Sequence, residues 1–283
     1  MDQIRVKGGV LLGALVSGAL AAGALSAAPT ASATCASFFG IGNSAQCTSN
    51  VTSVAIAIGT NAVAHADGLF GRAFAAGTNA VAVTGGTFTF ATAMGDNTDA
   101  IAFGVFGMAT QLGSNGIAKT LGSGGSPTAL GLNMALNVSL GSTVPSGSAA
   151  VAVGIGNMVV NLFGNGTAPG GQVVLAVGVL NHAMNLGGTN NHVEAGQGTG
   201  TLNHAFSIFG SNNTVKAGPG PVAIAGSILQ SGATVTKVGP GIAINNFRVG
   251  GAAAVSPPTA AVRHTGTSTS AAAHAGTGRH GKT

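Results

Sequence analysis

The sequence predicts an all-β fold: a single-chain parallel β-solenoid, a β-helix or β-roll, of about nine to ten coils over residues 51–251. The first observation is a glycine that recurs at a constant spacing, from Gly59 to Gly77 and onward. The second is that the short apolar runs around it alternate with period two, which is typical of strands. The third is that neither a leucine consensus nor a helical spacing accompanies the repeat. Since this 18-residue period divides evenly into three equal sides, the repeat favours a triangular coil.

The repeating glycines are predicted to lie at corners of the coil: Gly59, Gly77, Gly95, Gly113 and Gly131. Around them the chain reads AIAIGTN, AFAAGTN, ATAMGDN, ATQLGSN and PTALGLN. In a solenoid each residue lies about 4.8 Å above its counterpart in the previous coil. Every coil must then present the same kind of side chain at each position, which explains the repetition. Glycine is expected where a corner needs positive φ or has no room for a Cβ atom.

The repeat lengthens towards the C terminus. VAVGIGNMVVNLFG (151–164) aligns with LAVGVLNHAMNLGG (175–188), so that Val151 corresponds to Leu175. The segment beginning at Leu180 aligns in turn with the one beginning at Leu202. Both offsets exceed the earlier period. These coils are predicted to belong to the same tube and to have longer corner loops.

Asparagine is the most regular polar residue of the repeat, with seven members nearly in phase: Asn61, Asn79, Asn97, Asn115, Asn133, Asn157 and Asn181. Stacked in register, their side-chain amides are predicted to form one ladder, each donating to the oxygen of a neighbour. The alternative is that asparagine stands at these turns because it tolerates the left-handed conformation. The two explanations are compatible.

Composition limits both the core and the partners. The chain has 49 Gly, no Trp, no Tyr and 5% charged residues, which predicts a thin core of small side chains. The acids beyond the N-terminal segment are few and scattered: Asp67, Asp96, Asp99 and Glu194. Arg263, Arg279 and Lys282 lie near the C terminus, so the net charge of +5 describes that end of the chain and predicts no nucleic-acid interface.

Residues 1–33 read as a signal peptide. Arg5 and Lys7 precede an apolar run, and Ala31-Ser32-Ala33 offers the small residues that signal peptidase accepts. The run is also long enough for an uncleaved anchor, which would be the one contact with a membrane. The predicted location is therefore secreted, or at the cell envelope or cell surface.

Residues 34–50 are predicted to form an N-terminal cap. An even pair of cysteines in an exported chain most often forms a disulfide, which here joins Cys35 and Cys47. The alternative is two free thiols. Phe38 and Phe39 are expected to plug the open end of the tube, because an unpaired sheet end is an aggregation hazard.

The C-terminal part of the chain divides at residue 252. The irregular segment Ile244–Gly251 is expected to close the second end of the tube, and residues 252–283, rich in Ser, Thr, Pro and His, are predicted to be a disordered, basic tail. Its last residues, GTGRHGKT, match a phosphate-loop pattern at Gly276, Gly281, Lys282 and Thr283. No helix can follow Lys282 here, so nucleotide binding is not expected.

No catalytic, cofactor-binding or metal-binding residue is predicted. Catalysis needs converging acids and bases or an activated nucleophile, and four scattered acids do not provide them. His182 and His204 occupy equivalent LNHA positions and could stack, with His192 and Glu194 nearby in sequence. A metal site would need more ligands than this pair. The tail histidines His264, His274 and His280 are at most loose chelators.

The phrase AIAIGTNAVA and its echoes resemble the head repeats of trimeric autotransporter adhesins of the YadA type. That resemblance covers about residues 55–178 and implies a left-handed parallel β-roll. The Gly/Ala-rich style with an N-terminal cysteine pair is also similar to secreted repeat proteins of mycobacteria and other actinobacteria. The sequence leaves the handedness open, and both a monomer and a trimer are possible.

The expected function is that of a non-catalytic structural or adhesive repeat protein. Its flat faces would meet cell-wall polymers or host surface molecules, because repetition makes weak contacts multivalent. One alternative is a solenoid that binds ice or glycan surfaces, suggested by Thr60-Asn61 and Thr78-Asn79. Another is a carbohydrate-active β-helix enzyme.

Overall fold

In the computed structural model, the described residues are 34–123, 129–196, 200–250 and, for the backbone alone, 253–256. They form a parallel β-solenoid of about ten coils, as the sequence predicts. The predicted signal peptide and most of the predicted tail lie outside the described residues. Within the described part, no helix is long and apolar enough to cross a membrane.

The strands of the first half, in chain order, are β1 Cys35–Phe38, β2 Ile41–Gly42, β3 Cys47–Ser49, β4 Val54–Ile58, β5 Val63–Ala66, β6 Arg72–Ala76, β7 Ala80–Thr87, β8 Phe90–Met94, β9 Thr98–Val105, β10 Met108–Gly113, β11 Gly116–Leu121 and β12 Met134–Ser139. Those of the second half are β13 Ser148–Ile155, β14 Met158–Leu162, β15 Gln172–Val179, β16 His182–Leu186, β17 His192–Ala195, β18 His204–Ile208, β19 Thr214–Ala217, β20 Ala223–Ile228, β21 Thr234–Lys237, β22 Gly241–Ile244, β23 Phe247–Val249 and β24 Ala253–Ser256.

Each coil contributes one strand to each of two sheets. The first sheet has 13 strands in the order β2-β1-β4-β6-β8-β10-β12-β14-β16-β18-β20-β22-β23. The second sheet has 11 strands in the order β24-β21-β19-β17-β15-β13-β11-β9-β7-β5-β3. The coil is therefore two-sided, and the triangular coil expected from the 18-residue period is wrong.

The reason for two sides is a nine-residue half-repeat. Gly68, Gly86 and Gly104 stand midway between the glycines that mark the 18-residue period. One half of the coil turns at an asparagine two residues after its glycine, and the other half turns at a phenylalanine. We call these turns the asparagine corner, from the first sheet to the second (Asn61, Asn79, Asn97, Asn115), and the phenylalanine corner, from the second sheet to the first (Phe70, Phe88, Phe106).

Strand pairing confirms the lengthening of the repeat. In the early coils Val54 pairs with Arg72, 18 positions on. Met134 pairs with Met158 at an offset of 24, and His182 pairs with His204 at 22, as the sequence alignments predict. One offset was not predicted: between these regions Met108 pairs with Met134, 26 positions on.

Glycine forms a column at the asparagine corner. Gly59, Gly77, Gly95 and Gly113 all have positive φ, and a Cβ atom on any of the first three would overlap the carbonyl oxygen of the next glycine in the column. Gly113 then pairs with Ser139. Gly131, which the 18-residue spacing places in this column, lies at the phenylalanine corner beside Asn133 instead. The long coil after Gly113 breaks the phase, so that assignment is wrong.

The N-terminal end is closed by pairing and by a disulfide. β1 lies antiparallel to β4 and covers the free edge of the first sheet. The predicted disulfide between Cys35 and Cys47 is present and links β1 in the first sheet to β3 in the second. Both cysteines are buried, whereas Phe38 and Phe39 are 41% and 60% exposed. The disulfide, and not the two phenylalanine rings, therefore covers this end of the core.

The C-terminal end is closed in a similar way. β23 turns back antiparallel to β22, within the segment expected to close the tube. β24 lies antiparallel to β21 and covers the edge of the second sheet. Regular structure therefore continues to Ser256, beyond the predicted start of a disordered tail at residue 252.

The interior of the tube is narrow. Its buried apolar side chains are Ala, Val and the two cysteines, while every Leu, Ile, Met and Phe in the described residues is at least partly exposed. The inward positions of successive strands face one another across the tube, so most of them hold small side chains. The predicted core of small side chains is thus accompanied by an exterior of large apolar ones.

The glycine column can be tested with Gly77→Ala and the matched variant Gly170→Ala. Both positions have positive φ, but a Cβ atom at Gly170 would meet nothing within 4 Å. Gly170→Ala should lower the free energy of unfolding by about 1 kcal/mol, from backbone strain alone. Gly77→Ala should lower it by about 3 kcal/mol or more, because the opposing atom belongs to the backbone. Denaturant unfolding measures both, and equal losses would contradict the close approach of the coils.

Candidate functional surface

The outer face of the first sheet consists of three columns of side chains. One column is apolar in every coil: Ile58, Ala76, Met94, Leu112, Val138, Leu162, Leu186, Ile208 and Ile228. Strand alternation points these residues outward, since their neighbours in sequence are the buried core residues. The column forms a continuous apolar strip along the rod.

The central column of this face is also mostly apolar: Ile56, Phe74, Thr92, Thr110, Leu136, Val160, Met184, Phe206, Gly226 and Ile244. Thr92 and Thr110 are its only hydroxyl side chains, and Leu136 follows them. The central column therefore contains no continuous row of hydroxyl side chains.

The remaining column contains the charged and titratable residues of the face. It runs Val54, Arg72, Phe90, Met108, Met134, Met158, His182, His204, Ile224 and Ile242. The Arg72 guanidinium lies 5.7 Å from the centroid of the Phe90 ring, a cation–π contact. Beyond Arg72 and the two histidines, the three columns carry no ionisable side chain.

His182 and His204 lie side by side, as their equivalent positions suggested. Their Nδ1 atoms are 2.8 Å apart and their ring centroids are 4.6 Å apart. Such a contact requires one Nδ1 to carry a hydrogen and the other to accept it. Burial, followed by the charge of His204, lowers the pKa of His182 to about 4, and burial also lowers the pKa of His204. The pair is therefore neutral at neutral pH.

Stability should depend on this pair in acid. Each pKa is lower in the folded chain than in the unfolded one, so the unfolded chain takes up protons first as the pH falls. The free energy of unfolding should be fully retained above about pH 6.5 and fall by about 1–2 kcal/mol towards pH 4, after a discount for solvent screening. His182→Gln combined with His204→Gln should flatten this part of the pH–stability curve, whereas His192→Gln on the other sheet should not. An unchanged curve in the double variant would contradict the coupling.

The phenylalanine corner carries a second exposed apolar column. The rings of Phe70 and Phe88 stack with centroids 5.0 Å apart, and those of Phe88 and Phe106 with centroids 5.1 Å apart. Leu132, Leu180, Leu202 and Val222 occupy the same corner in later coils. All of these residues have positive φ, which is uncommon for bulky side chains. The backbone thus holds large apolar groups outward at a cost in local strain.

The asparagine corner holds an exposed amide ladder of four residues. The Nδ2 atom of Asn61 donates to Oδ1 of Asn79 (3.1 Å), Asn79 donates to Asn97 (3.1 Å) and Asn97 donates to Asn115 (3.2 Å). All four also have positive φ. Here the two explanations given for asparagine, stacking and tolerance of the left-handed conformation, apply together.

The other three members of the predicted set lie elsewhere. Asn133, Asn157 and Asn181 are buried at the phenylalanine corner, where the backbone N–H of each successive residue donates to the Oδ1 atom of the previous one. Asn203 extends this column. The single column of seven is therefore wrong, because the long coil after Asn115 shifts asparagine from one corner to the other.

A third amide column runs through the core and was not predicted. The inward positions Ala57, Ala75 and Ala93 are followed in register by Gln111, Asn137, Asn161, Asn185, Ser207 and Ser227. Asn161 donates to Oδ1 of Asn137 (2.7 Å) and accepts from Nδ2 of Asn185 (2.8 Å). Asn137, Asn161 and Asn185 thus bond to one another along the axis, as the burial of polar groups favours.

The core column and the exposed ladder can be compared by making the same change, Asn to Asp, at one position in each. Asn161→Asp removes the donors to Asn137, Ser148 and Gly164 and puts a carboxyl group in a fully buried site. It should lower the free energy of unfolding by about 3 kcal/mol or more. Asn97→Asp, in the exposed ladder, should cost about 1 kcal/mol or less. Denaturant titrations measure the difference, and similar losses would mean that the core amides are replaceable.

The second sheet carries a further group of ionisable residues. Glu194 lies 3.3 Å from the Lys216 ammonium and 3.4 Å from Nε2 of His192. Asp99 stands between Val81 and Ile117 in register, and burial raises its pKa. Within the described residues, no group of three or more His, Cys, Asp and Glu side chains is placed to hold a metal ion.

Comparison with known proteins adds no relative: no family model, no curated protein and no solved structure matches the chain significantly. The functional interpretation therefore depends on the geometry of the solenoid. The architecture is compatible with a β-roll repeat protein.

Proposed function

We propose that the chain is an exported, non-catalytic structural or adhesive protein that acts by surface contact. The observation that carries this proposal is the outer face of the first sheet, which is apolar over about ten coils and nearly free of ionisable groups. An apolar surface of that extent marks an interaction site. The partners that fit the proposal are polymers of the cell envelope or molecules at a host surface.

Regular repetition favours adhesion over a single strong site. A partner with its own repeating surface meets equivalent side chains in every coil, such as Leu136, Val160 and Met184. Weak contacts of this kind become multivalent when they are held on one rigid rod.

Export is supported by two features of the N terminus. The segment 1–33 has the charge, apolar run and small residues of a signal peptide. The disulfide between Cys35 and Cys47 belongs to an oxidising compartment. The proposed location is therefore outside the cell or at its envelope.

The proposed kind of protein is a secreted β-roll repeat protein, similar in style to trimeric autotransporter heads and to Gly/Ala-rich actinobacterial proteins. Two-sided coils with alanine inside and glycine at the corners support that comparison.

The proposal is tested by retention of the chain in the envelope fraction of its host. The variant Leu136→Lys with Val160→Lys puts two charges on the first-sheet face, at positions that pair in register. The control variant Thr60→Lys with Thr78→Lys puts two charges on the asparagine corner. We expect the face variant to be released into the medium and the control variant to remain bound, with a difference of about tenfold in the bound fraction.

Circular dichroism should show that both variants keep the β-structure of the unmodified chain. Equal retention of the face variant and the unmodified chain would refute the adhesive face. N-terminal sequencing of the recovered chain tests export. A chain that is found in the cytoplasmic fraction and still has residues 1–33 would refute it.

A further inference from the structure

The exposed apolar surface is not confined to one face of the rod. From the first sheet it continues round the phenylalanine corner, where Phe70, Phe88, Phe106, Leu132, Leu180, Leu202 and Val222 are between 38% and 53% exposed. This corner joins the two sheets in every coil from β5–β6 to β19–β20. The apolar surface therefore turns through the edge of the rod instead of ending there.

Beyond the corner it continues on the second sheet. From β7 to β15 the outward side chains of that sheet are largely Val, Ile, Leu and Phe: Val81, Val83, Ile101, Phe103, Ile117, Leu121, Val151, Val153, Val173, Leu175 and Val177. The two opposite faces and the edge between them thus form one apolar surface.

Two polar regions of the exterior border this apolar surface. One is the asparagine corner of the N-terminal coils, with Thr78, Asp96 and the amide ladder. The other is the second-sheet face of the C-terminal coils, from β17 to β21, where Glu194 and Lys216 form an ion pair. The N-terminal coils are therefore amphipathic around their circumference.

The interior has the opposite character. Its largest fully buried side chains are Lys237, Gln111 and Gln172, and no Leu, Ile, Met or Phe in the described residues is buried. The amides of Asn137, Asn161 and Asn185 are paired along the axis. Large apolar groups outside and amides that pair with one another inside suit an apolar surrounding medium.

Building on the proposed function, we infer that the partner of this apolar surface is the acyl-chain region of a lipid layer. The rod lies in the layer with its first-sheet face, its phenylalanine corner and the β7–β15 part of its second-sheet face among the acyl chains. The asparagine corner and the β17–β21 face remain at the water and headgroup level.

Few charges oppose this placement. On the embedded surface they are Arg72, Asp99 and Lys119. Arg72 lies over the Phe90 ring, and long basic side chains reach polar headgroups while their stems stay in apolar surroundings. The raised pKa of Asp99 favours its neutral form. The histidine pair is neutral and satisfies its Nδ1 atoms internally.

A second copy of the chain would cover too little of this surface. One sheet face, at about 48 Å by 17 Å, offers about 800 Å², the area that one partner buries in a standard protein interface. A flat partner on that face would leave the corner and the opposite sheet exposed to water. A fluid apolar phase covers all three at once.

The absence of Trp and Tyr from the chain allows a direct test. Single reporters Leu136→Trp, Phe88→Trp and Val151→Trp mark the first sheet, the phenylalanine corner and the second sheet. Thr78→Trp on the asparagine corner is the matched control. The full-length variants are mixed with uncharged phosphatidylcholine vesicles whose acyl chains are brominated, and with unbrominated vesicles as reference.

We expect bromine to quench the three surface reporters by about twofold or more, and to leave the control reporter unquenched but accessible to aqueous iodide. An N-terminal anchor alone would tether the chain and leave all four reporters unquenched, which would overturn the inference. So would quenching of the control to the same extent as the others. Circular dichroism detects a reporter substitution that disturbs folding. Because there are three reporters, the other two still test the inference in that case.

The test separates this inference from the proposed function. A chain that is retained in the envelope after lipid extraction and shows no quenching in vesicles would keep the adhesive role and refute the lipid partner. Self-association of the chain, measured by light scattering, would also refute the lipid partner if neither iodide nor bromine quenched the Leu136→Trp reporter. It would identify a second copy as the partner of the first-sheet face.

Discussion

Parallel, in-register pairing between successive coils is the constraint on which the rest of the structure depends. Each side chain lies one strand spacing above its counterpart in the previous coil. A residue type therefore suits a position when it interacts favourably with the equivalent residue of the next coil. Amides hydrogen-bond along the column, as Asn79 does with Asn97. Phenylalanine rings stack, as Phe70 and Phe88 do. Glycine at a corner allows a carbonyl group to approach that any other residue would block.

The narrowness of the tube decides which residues go inside. Two facing rows of inward side chains hold mostly Ala, Val, Ser, Thr and the planar amides, together with the fully buried Lys237, and no Leu or Phe of the described residues. The usual relation between size and burial is therefore reversed, since large apolar residues are normally the most buried. Their place on the exterior follows from geometry, and an exterior of this kind requires something apolar to cover it.

The fold class could be predicted because the repeat and the period-two alternation are visible without a structure. The number of sides could not, because the 18-residue period conceals two halves of nine. Gly68 and Phe70 repeat the spacing of Gly59 and Asn61 and are the signal that could have shown it. The change of corner after Asn115 was also hidden. The long coil moved asparagine to the opposite corner, but the spacing of asparagine in the sequence remained nearly regular.

The buried amides were missed for a different reason. In a strand such as MALNVS, alternation between apolar and polar residues is usually a guide to which side faces water. In this strand Ala135 and Asn137 face inward while Leu136 and Val138 face outward. Polarity therefore indicates the wrong side, and only the register with Gln111 and Asn161 shows that the amides belong to one internal column. The flat faces were expected to meet a partner, but their apolar character was missed because of the same inversion.

Closure of both ends by the chain's own antiparallel strands has a consequence for how such proteins change their length. Each internal coil touches only the coils before and after it, as in other linear repeat architectures. Duplicating or deleting one coil leaves the strands that seal β4 and β22 unaltered. The rod can therefore lengthen or shorten over evolution by whole coils, each of which changes its length by about 4.8 Å, while the end strands stay the same.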